Sequence, residues 1–227
     1  MSGLDWTEEL KKRTRIDFLT TRPMEIEKKS FEIIKGELGE EFVSRYPADA
    51  LPVLCRVIHT TADFSYRDTL TITEGAIGLA KEAIHRGLPI ITDTTMAASG
   101  INKTAARKFG IDVHCFIGDE DVKEAAKANG MTRSAVSAEK AARLYPECIY
   151  AVGNAPTALM RLYELIEEKK IRPALIIGVP VGFVNVVEAK ELILRTDVPA
   201  IVARGRKGGS NIAAAICNAL LYEAGGR

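Results

Sequence analysis

From about residue 50 the chain alternates between two hydrophobic patterns. Short apolar runs are followed by stretches in which apolar positions recur three and four residues apart. The first pattern predicts strands, the second amphipathic helices. Strands are expected near 53–58, 88–92, 113–117, 148–152, 174–178 and 200–204. A helix is expected over 72–86, with Ile72, Ala76, Leu79, Ala80 and Ala83 on one stripe and Gly87 at its end. Others are expected over 101–109, after the acidic start Asp119-Glu120-Asp121, over 134–144, and from Pro156, which suits a first helical turn. The last two carry Val186, Ala189 and Ile193, then Ile212, Ala215, Ile216, Ala219 and Leu220, on their inward faces. Such alternation predicts a mainly parallel sheet covered on both faces. Right-handed crossovers then bring every parallel strand's C-terminus to one edge.

Before residue 50 the pattern changes. Residues 1–22 are polar and basic apart from Trp6, and read as a short helix or arm outside the main domain, which spans 23–227. A helix begins at Pro23, with Ile26, Ile33 and Ile34 on one face and Ser30 between them. That serine either bonds back to a backbone carbonyl or faces a ligand.

Composition narrows the function classes. With 227 residues, 47% hydrophobic and 27% charged, the chain is globular. A net charge of +1 with no long basic run gives no reason to expect nucleic acid. No apolar stretch is long enough to span a bilayer, and the charged N-terminus does not read as a signal peptide. Cys55, Cys115, Cys148 and Cys217 are scattered, which predicts buried thiols in a reducing cytoplasm. The three histidines show no metal-ligand spacing, so no metal is expected.

Candidate chemistry collects at the predicted edge. The run 53–58 delivers His59 to its end, where polar residues follow at once. A histidine there serves either as a hydrogen-bonding group or as an acid–base catalyst. The same edge receives Asp93, Thr94, Asn154, Arg204, Arg206, Lys207 and Ser210. Gly153-Asn154 and Gly208-Gly209-Ser210 each lead into a helix, whose first amides attract anions. Two such loops at one edge, with Arg206 and Lys207 beside the second, favour a ligand bearing several carboxylates or phosphates over glycines that merely serve turns. His85, in a last helical turn, and His114, at the opposite strand end, read as structural. P-loop, nucleophile-elbow and zinc-protease motifs are lacking. The residues alone thus describe proton transfer involving a polyanionic organic ligand.

Five ordered motifs sharpen this reading. They are Arg56-Val57-Ile58-His59; Thr92-Asp93-Thr94 with Met96 and Gly100-Ile101; residues 152–159, VGNAPTAL; residues 178–184, GVPVGFV; and residues 206–210, RKGGS, with Asn218-Ala219-Leu220. Together they resemble the precorrin-8X methylmutase family, including its cobalt-precorrin-8 members, from about Pro23 to Tyr222. The resemblance implies a flavodoxin-like, three-layer α/β/α fold and a homodimer. It implies an isomerase of corrin-ring biosynthesis that moves a methyl group from C-11 to C-12, giving hydrogenobyrinate or cobyrinate. His59 matches the family's catalytic histidine. The corrinoid's carboxylate arms fit an anion-binding edge, for which Ser30, Arg56, Thr94, Met96, Gly153, Asn154, Arg206, Lys207, Gly208, Gly209 and Ser210 are the candidates. No redox cofactor or S-adenosylmethionine is implied, because the methyl never leaves the molecule. Thr61-Ala62 stands where many members carry a glycine. The alternatives are a non-catalytic tetrapyrrole carrier and a phosphosugar isomerase on a similar scaffold.

Overall fold

The computed structural model describes residues 6–226; residues 1–5 and Arg227 lie outside it. The chain divides into two compact units, one running to Tyr46 and the other starting at Pro47. The division falls well after Pro23, where the family resemblance begins.

In the first unit, α1 (Trp6–Thr14), α2 (Pro23–Leu38) and α3 (Glu40–Arg45) are helical. Pro23 stands in the first turn of α2, where its missing N–H costs nothing. Gly39, at φ 85°, turns the chain between α2 and α3. Thr7 is buried and ties α1 to the segment before α2: its hydroxyl lies 2.7 Å from that of Thr21 and accepts the Thr21 amide at 2.9 Å.

The second unit begins with α4 (Leu51–Thr61), α5 (Tyr66–Thr69) and the short strand β1 (Leu70–Ile72). Then follow α6 (Ala76–His85), β2 (Ile90–Thr92), α7 (Thr95–Gly100), α8 (Lys103–Lys108) and β3 (Val113–His114). After α9 (Glu120–Asn129) and α10 (Arg133–Leu144), strands and helices alternate to the end. They are β4 (Ile149–Val152), α11 (Pro156–Glu167), β5 (Leu175–Gly178), α12 (Val186–Ile193), β6 (Ala200–Ala203) and α13 (Ser210–Ala224).

Two expectations are corrected here. Residues 53–58 are not a strand but the middle of α4. Leu51, Val53, Leu54, Cys55, Val57 and Ile58 are all buried. A helix buried nearly all round shows no polar face, and a short piece of it cannot be told from a buried strand. Pro52, in the first turn, was the local sign of a helix. The missing strand is β1, only three residues long, and it pairs antiparallel with β6. The expected 72–86 helix accordingly starts four residues later, as α6.

The sheet order is β1-β6-β5-β4-β2-β3. The five parallel strands alone, renumbered from β2, run 2-1-3-4-5, the flavodoxin-like doubly wound order. The chain reverses its winding between β2 and β4, and that is where such sheets open a crevice at their C-terminal edge. Strand register brings the edge into line: Thr92 lies opposite Ala151, Val152 opposite Gly178, and Gly178 opposite Val202. The loops after β2, β4, β5 and β6 therefore emerge side by side.

Every residue of β2, β4, β5 and β6 is buried, as both-face coverage requires. Tyr150, Val152, Ile176 and Val202 pack with Ala158, Leu159, Leu162, Ala189 and Ile193 from α11 and α12. Burying each large apolar side chain contributes about 1.5–3 kcal/mol. On the other side α13 packs against α4, α6, α7 and α8. Its alanines permit close approach: a Cβ on Gly100 would lie 2.8 Å from Ala214 Cβ. Among the described residues no helix is long and apolar enough to cross a membrane.

Candidate active site

The site is assembled by the loop between β6 and α13, residues 204–209. His59 stands exposed in the last turn of α4, not at a strand end. Ala62 closes that helix in the left-handed conformation, its amide donating to the Ile58 carbonyl. The chain leaving α4 is then fastened to the sheet edge. Lys207 Nζ donates to Asp63 Oδ2 at 2.6 Å and to Ser65 Oγ at 2.9 Å. This pairing, with two hydrogen bonds from Ser65, lowers the Asp63 pKa to about 2. Lys207 was expected to hold a substrate carboxylate; here it holds the protein's own. It connects the His59-bearing end of α4 to the strand-end loop.

On the other side of that loop stands the β4–α11 turn. A Cβ on Gly153 would fall 2.6 Å from Ser210 Cα and 2.9 Å from Gly209 O. Glycine at 153 thus lets this turn meet the start of α13. Asp63, just past the His59-bearing helix end, and Gly153 consequently border the same loop, at one edge of the sheet. Gly208 is under a similar constraint, since a Cβ there would sit 2.1 Å from the Val179 carbonyl oxygen. The Gly209 amide donates to that carbonyl at 2.8 Å.

The Gly153-Asn154 amides were expected to bind a substrate carboxylate. They already hold an internal one. Asp93 Oδ1 accepts the Gly153 amide, and Oδ2 accepts those of Asn154 and Ala155, all at 2.8 Å. Asp93 is only 6% exposed. Burial pushes its carboxyl pKa up, while the three amide bonds pull it down. The carboxylate thus ties the end of β2 to the turn after β4, while Asn154 is exposed.

Two hydroxyls and two apolar side chains complete the edge. Thr94 Oγ1 lies 2.8 Å from Ser210 Oγ, and also caps α7 by accepting the Ala97 amide. Met96, on α7, is 69% exposed. Phe183, in the loop after β5, is 83% exposed, and the Arg206 guanidinium lies 5.5 Å from its ring centroid. The Gly182 amide donates to the Arg206 carbonyl at 3.1 Å, joining the two loops. The edge therefore offers the exposed Arg206 guanidinium, paired hydroxyls and an apolar ledge, with the chain leaving the His59-bearing helix tied to it through Asp63. That set suits a large, partly apolar ligand with carboxylate arms.

Other expected residues are engaged within the protein or lie elsewhere. Arg204 forms a bidentate pair with Glu191 at 2.8 and 2.6 Å. The Arg56 guanidinium sits 5.3 Å from the Tyr222 ring centroid, inward along α13. Ser30 belongs to the first unit, and its hydroxyl bonds back to the Ile26 carbonyl at 2.8 Å. His85 meets the Ala224 carbonyl at 3.1 Å and the edge of Phe109. His114 stacks on Tyr145 and Phe116. Two residues do more here than their local sequence shows: Asp93 anchors the β4–α11 turn, and Lys190, four residues after Val186, lies buried on the inward stripe of α12.

This fold defines a flavodoxin-like α/β protein, a class in which the crevice at the strand C-termini, beside the switch in winding, is the usual place for a ligand. Comparison with known proteins narrows the class. Residues 25–223 match the precorrin-8X methylmutase family. A cobalt-precorrin-8 methylmutase of Leptospira interrogans is 44% identical over 211 residues, covering 89% of this chain and 94% of the relative. One from Priestia megaterium is 40% identical, covering 92% and 91%. The crystal structure of the Thermus thermophilus precorrin-8X methylmutase superimposes with a TM-score of 0.80 at 37% identity, covering 88% of this chain and 98% of that one. The chain belongs to the precorrin-8X methylmutase family.

Proposed function

We propose that this isomerase of cobalamin biosynthesis moves a methyl group from C-11 to C-12 of cobalt-precorrin-8, to give cobyrinate, with His59 as the acid. The observation that carries the reading is the place of His59. It stands exposed at the end of α4, fastened through Asp63 and Lys207 to the loop that presents Arg206. A sigmatropic methyl shift needs no nucleophile. It needs a macrocycle whose electron distribution favours migration, and protonation at one ring position provides that. Imidazole suits the task because its ordinary pKa lies near neutral pH. The family relatives named above for the cobalt form, at 44% and 40% identity, favour the cobalt substrate. Incubation with precorrin-8X and cobalt-precorrin-8 side by side tests this. Faster colour change with the cobalt form is expected, and conversion of neither would overturn the reading.

Arg206 takes a substrate carboxylate in this account, with Thr94, Ser210 and Asn154 as polar neighbours and Met96 and Phe183 against the ring. A charge-assisted bond shielded from water contributes roughly 1.5–3 kcal/mol. Arg206→Ala is expected to weaken corrinoid binding by about tenfold or more, and added salt to weaken the parent's binding. Titration of the corrinoid spectrum at two ionic strengths measures both; affinity indifferent to mutation and salt would remove Arg206 from the site.

The active form in this reading is a cytoplasmic homodimer. One shallow strand edge does not enclose a macrocycle, and a second copy supplies a wall. Light scattering at micromolar concentration is expected to give twice the chain mass, and a monomer would contradict it.

A further inference from the structure

The methylmutase reading assigns no role to the one lysine that the fold buries completely. Lys190 is 0% exposed. It lies on the inward face of α12, spaced with Val186, Ala189 and Ile193 as a core residue would be. Its ammonium donates to the Gly205 and Lys207 carbonyls, each at 2.8 Å. These carbonyls flank Arg206, whose own carbonyl accepts the Gly182 amide. Three consecutive carbonyls are therefore held from below and beside, while the Arg206 side chain stays exposed over Phe183.

We propose that Lys190 is a positioning residue, clamping the backbone on both sides of Arg206 so that its guanidinium meets a corrinoid carboxylate already oriented. A buried charge with only backbone carbonyls for partners is a costly way to stabilise a fold. An apolar side chain on the same stripe would have extended the core. The cost is visible in the pKa, which burial lowers from 10.5 to about 8. β5 and β6 carry no charged residue. The charges on the surrounding segments are mostly paired among themselves: Arg204 with Glu191, Lys207 with Asp63, and Arg161 of α11 with Glu164 and Glu139. Glu188 of α12, Glu167 of α11 and Arg206 are the others; the ammonium's hydrogen-bond partners are the two carbonyls.

The sign of the pH effect separates this role from plain packing. A lysine with a depressed pKa burdens the fold while charged. Its contribution to stability is lost as pH falls through about 8 and regained towards the unfolded value of 10.5. Binding should move the other way, because the neutral amine grips carbonyls less well. As pH rises from 7 to 9, the parent should bind cobyrinate more weakly. In Lys190→Met that inflection should vanish.

The inference rests on the corrinoid reading for its ligand, but the clamp has a readout of its own. Amide hydrogen exchange at pH 7 should be about tenfold or more faster over residues 204–209 in Lys190→Met than in the parent. In the same variant, cobyrinate should bind about tenfold more weakly, while bound substrate turns over within a few-fold of the parent. Unchanged exchange would overturn the clamp, and faster exchange with unchanged affinity would overturn its role in binding. Should the variant fail to fold, the parent alone decides: an affinity flat from pH 7 to 9 would overturn the proposal. A parent that binds no corrinoid at all would defeat the methylmutase reading, with the exchange result still deciding the clamp.

Discussion

His59→Ala is expected to fold, to bind corrinoid, and to lose nearly all turnover. The side chain is exposed in the last turn of α4, so its removal opens no cavity in the core. The six buried apolar residues of α4 that hold the helix against the core are untouched. In the proposed account binding is carried by Arg206 and the apolar ledge, whose side chains alanine at 59 leaves in place. Turnover is different. Positioned acid catalysis contributes about 10²–10⁴-fold, and the described edge offers no second group to replace it. His85 and His114 are both engaged with aromatic rings elsewhere in the fold. His59→Asn keeps a hydrogen bond of similar reach but cannot give a proton, so it should bind well and turn over as poorly as alanine. Single-turnover absorbance with equal protein saturation checks both variants. Alanine within a few-fold of the parent would mean that the enzyme acts by binding strain alone.

The second large effect concerns stability. Asp93→Ala is expected to destabilise the protein by about 3–5 kcal/mol, because three amides of a buried turn lose their only acceptor in the described contacts at once. Stranding a buried donor costs about 1–3 kcal/mol, and local relaxation towards solvent at Asn154 keeps the sum below three full penalties. Asp93→Asn should fall between. Its oxygen can accept one or two amides, but its NH2 group must then face a donor. Denaturant unfolding followed by far-UV circular dichroism gives the number. A loss under about 1 kcal/mol for Asp93→Ala would mean that the amides find other partners and that the turn is not built on this carboxylate. Because Gly153 also abuts Ser210, the same variant should loosen the start of α13 and raise the corrinoid KM.

The parallel strands were legible because burial on both faces leaves them as unbroken apolar runs. Residues 148–152, 174–178 and 200–204 are strands to within a residue at each end. The same logic failed at 53–58, where a helix surrounded by other elements carries the same unbroken run. β1 was invisible, since three residues, one of them Thr71, show no period. The polar residues after His59 mark a helix end and not a strand end, and the chain leaving that end is fastened to the strand edge. Arg206 was readable as a basic residue beside glycines. The Asp93 anchor was not, because it depends on β2 lying next to β4, and sheet order is not written in any local pattern. Lys190 could have been noticed. A lysine at a core position of an amphipathic helix either marks an error in the helix or needs acceptors within reach of its stem.

The central claim is that this edge promotes a methyl migration within one macrocycle. It is tested most directly by nuclear magnetic resonance on cobalt-precorrin-8 isotopically labelled in its C-11 methyl. With the parent protein the labelled carbon should move to the C-12 position, stay in the same molecule when mixed with unlabelled substrate, and remain at C-11 with His59→Ala. A labelled methyl that stays at C-11 while the parent protein holds the ligand would show a carrier rather than a methylmutase.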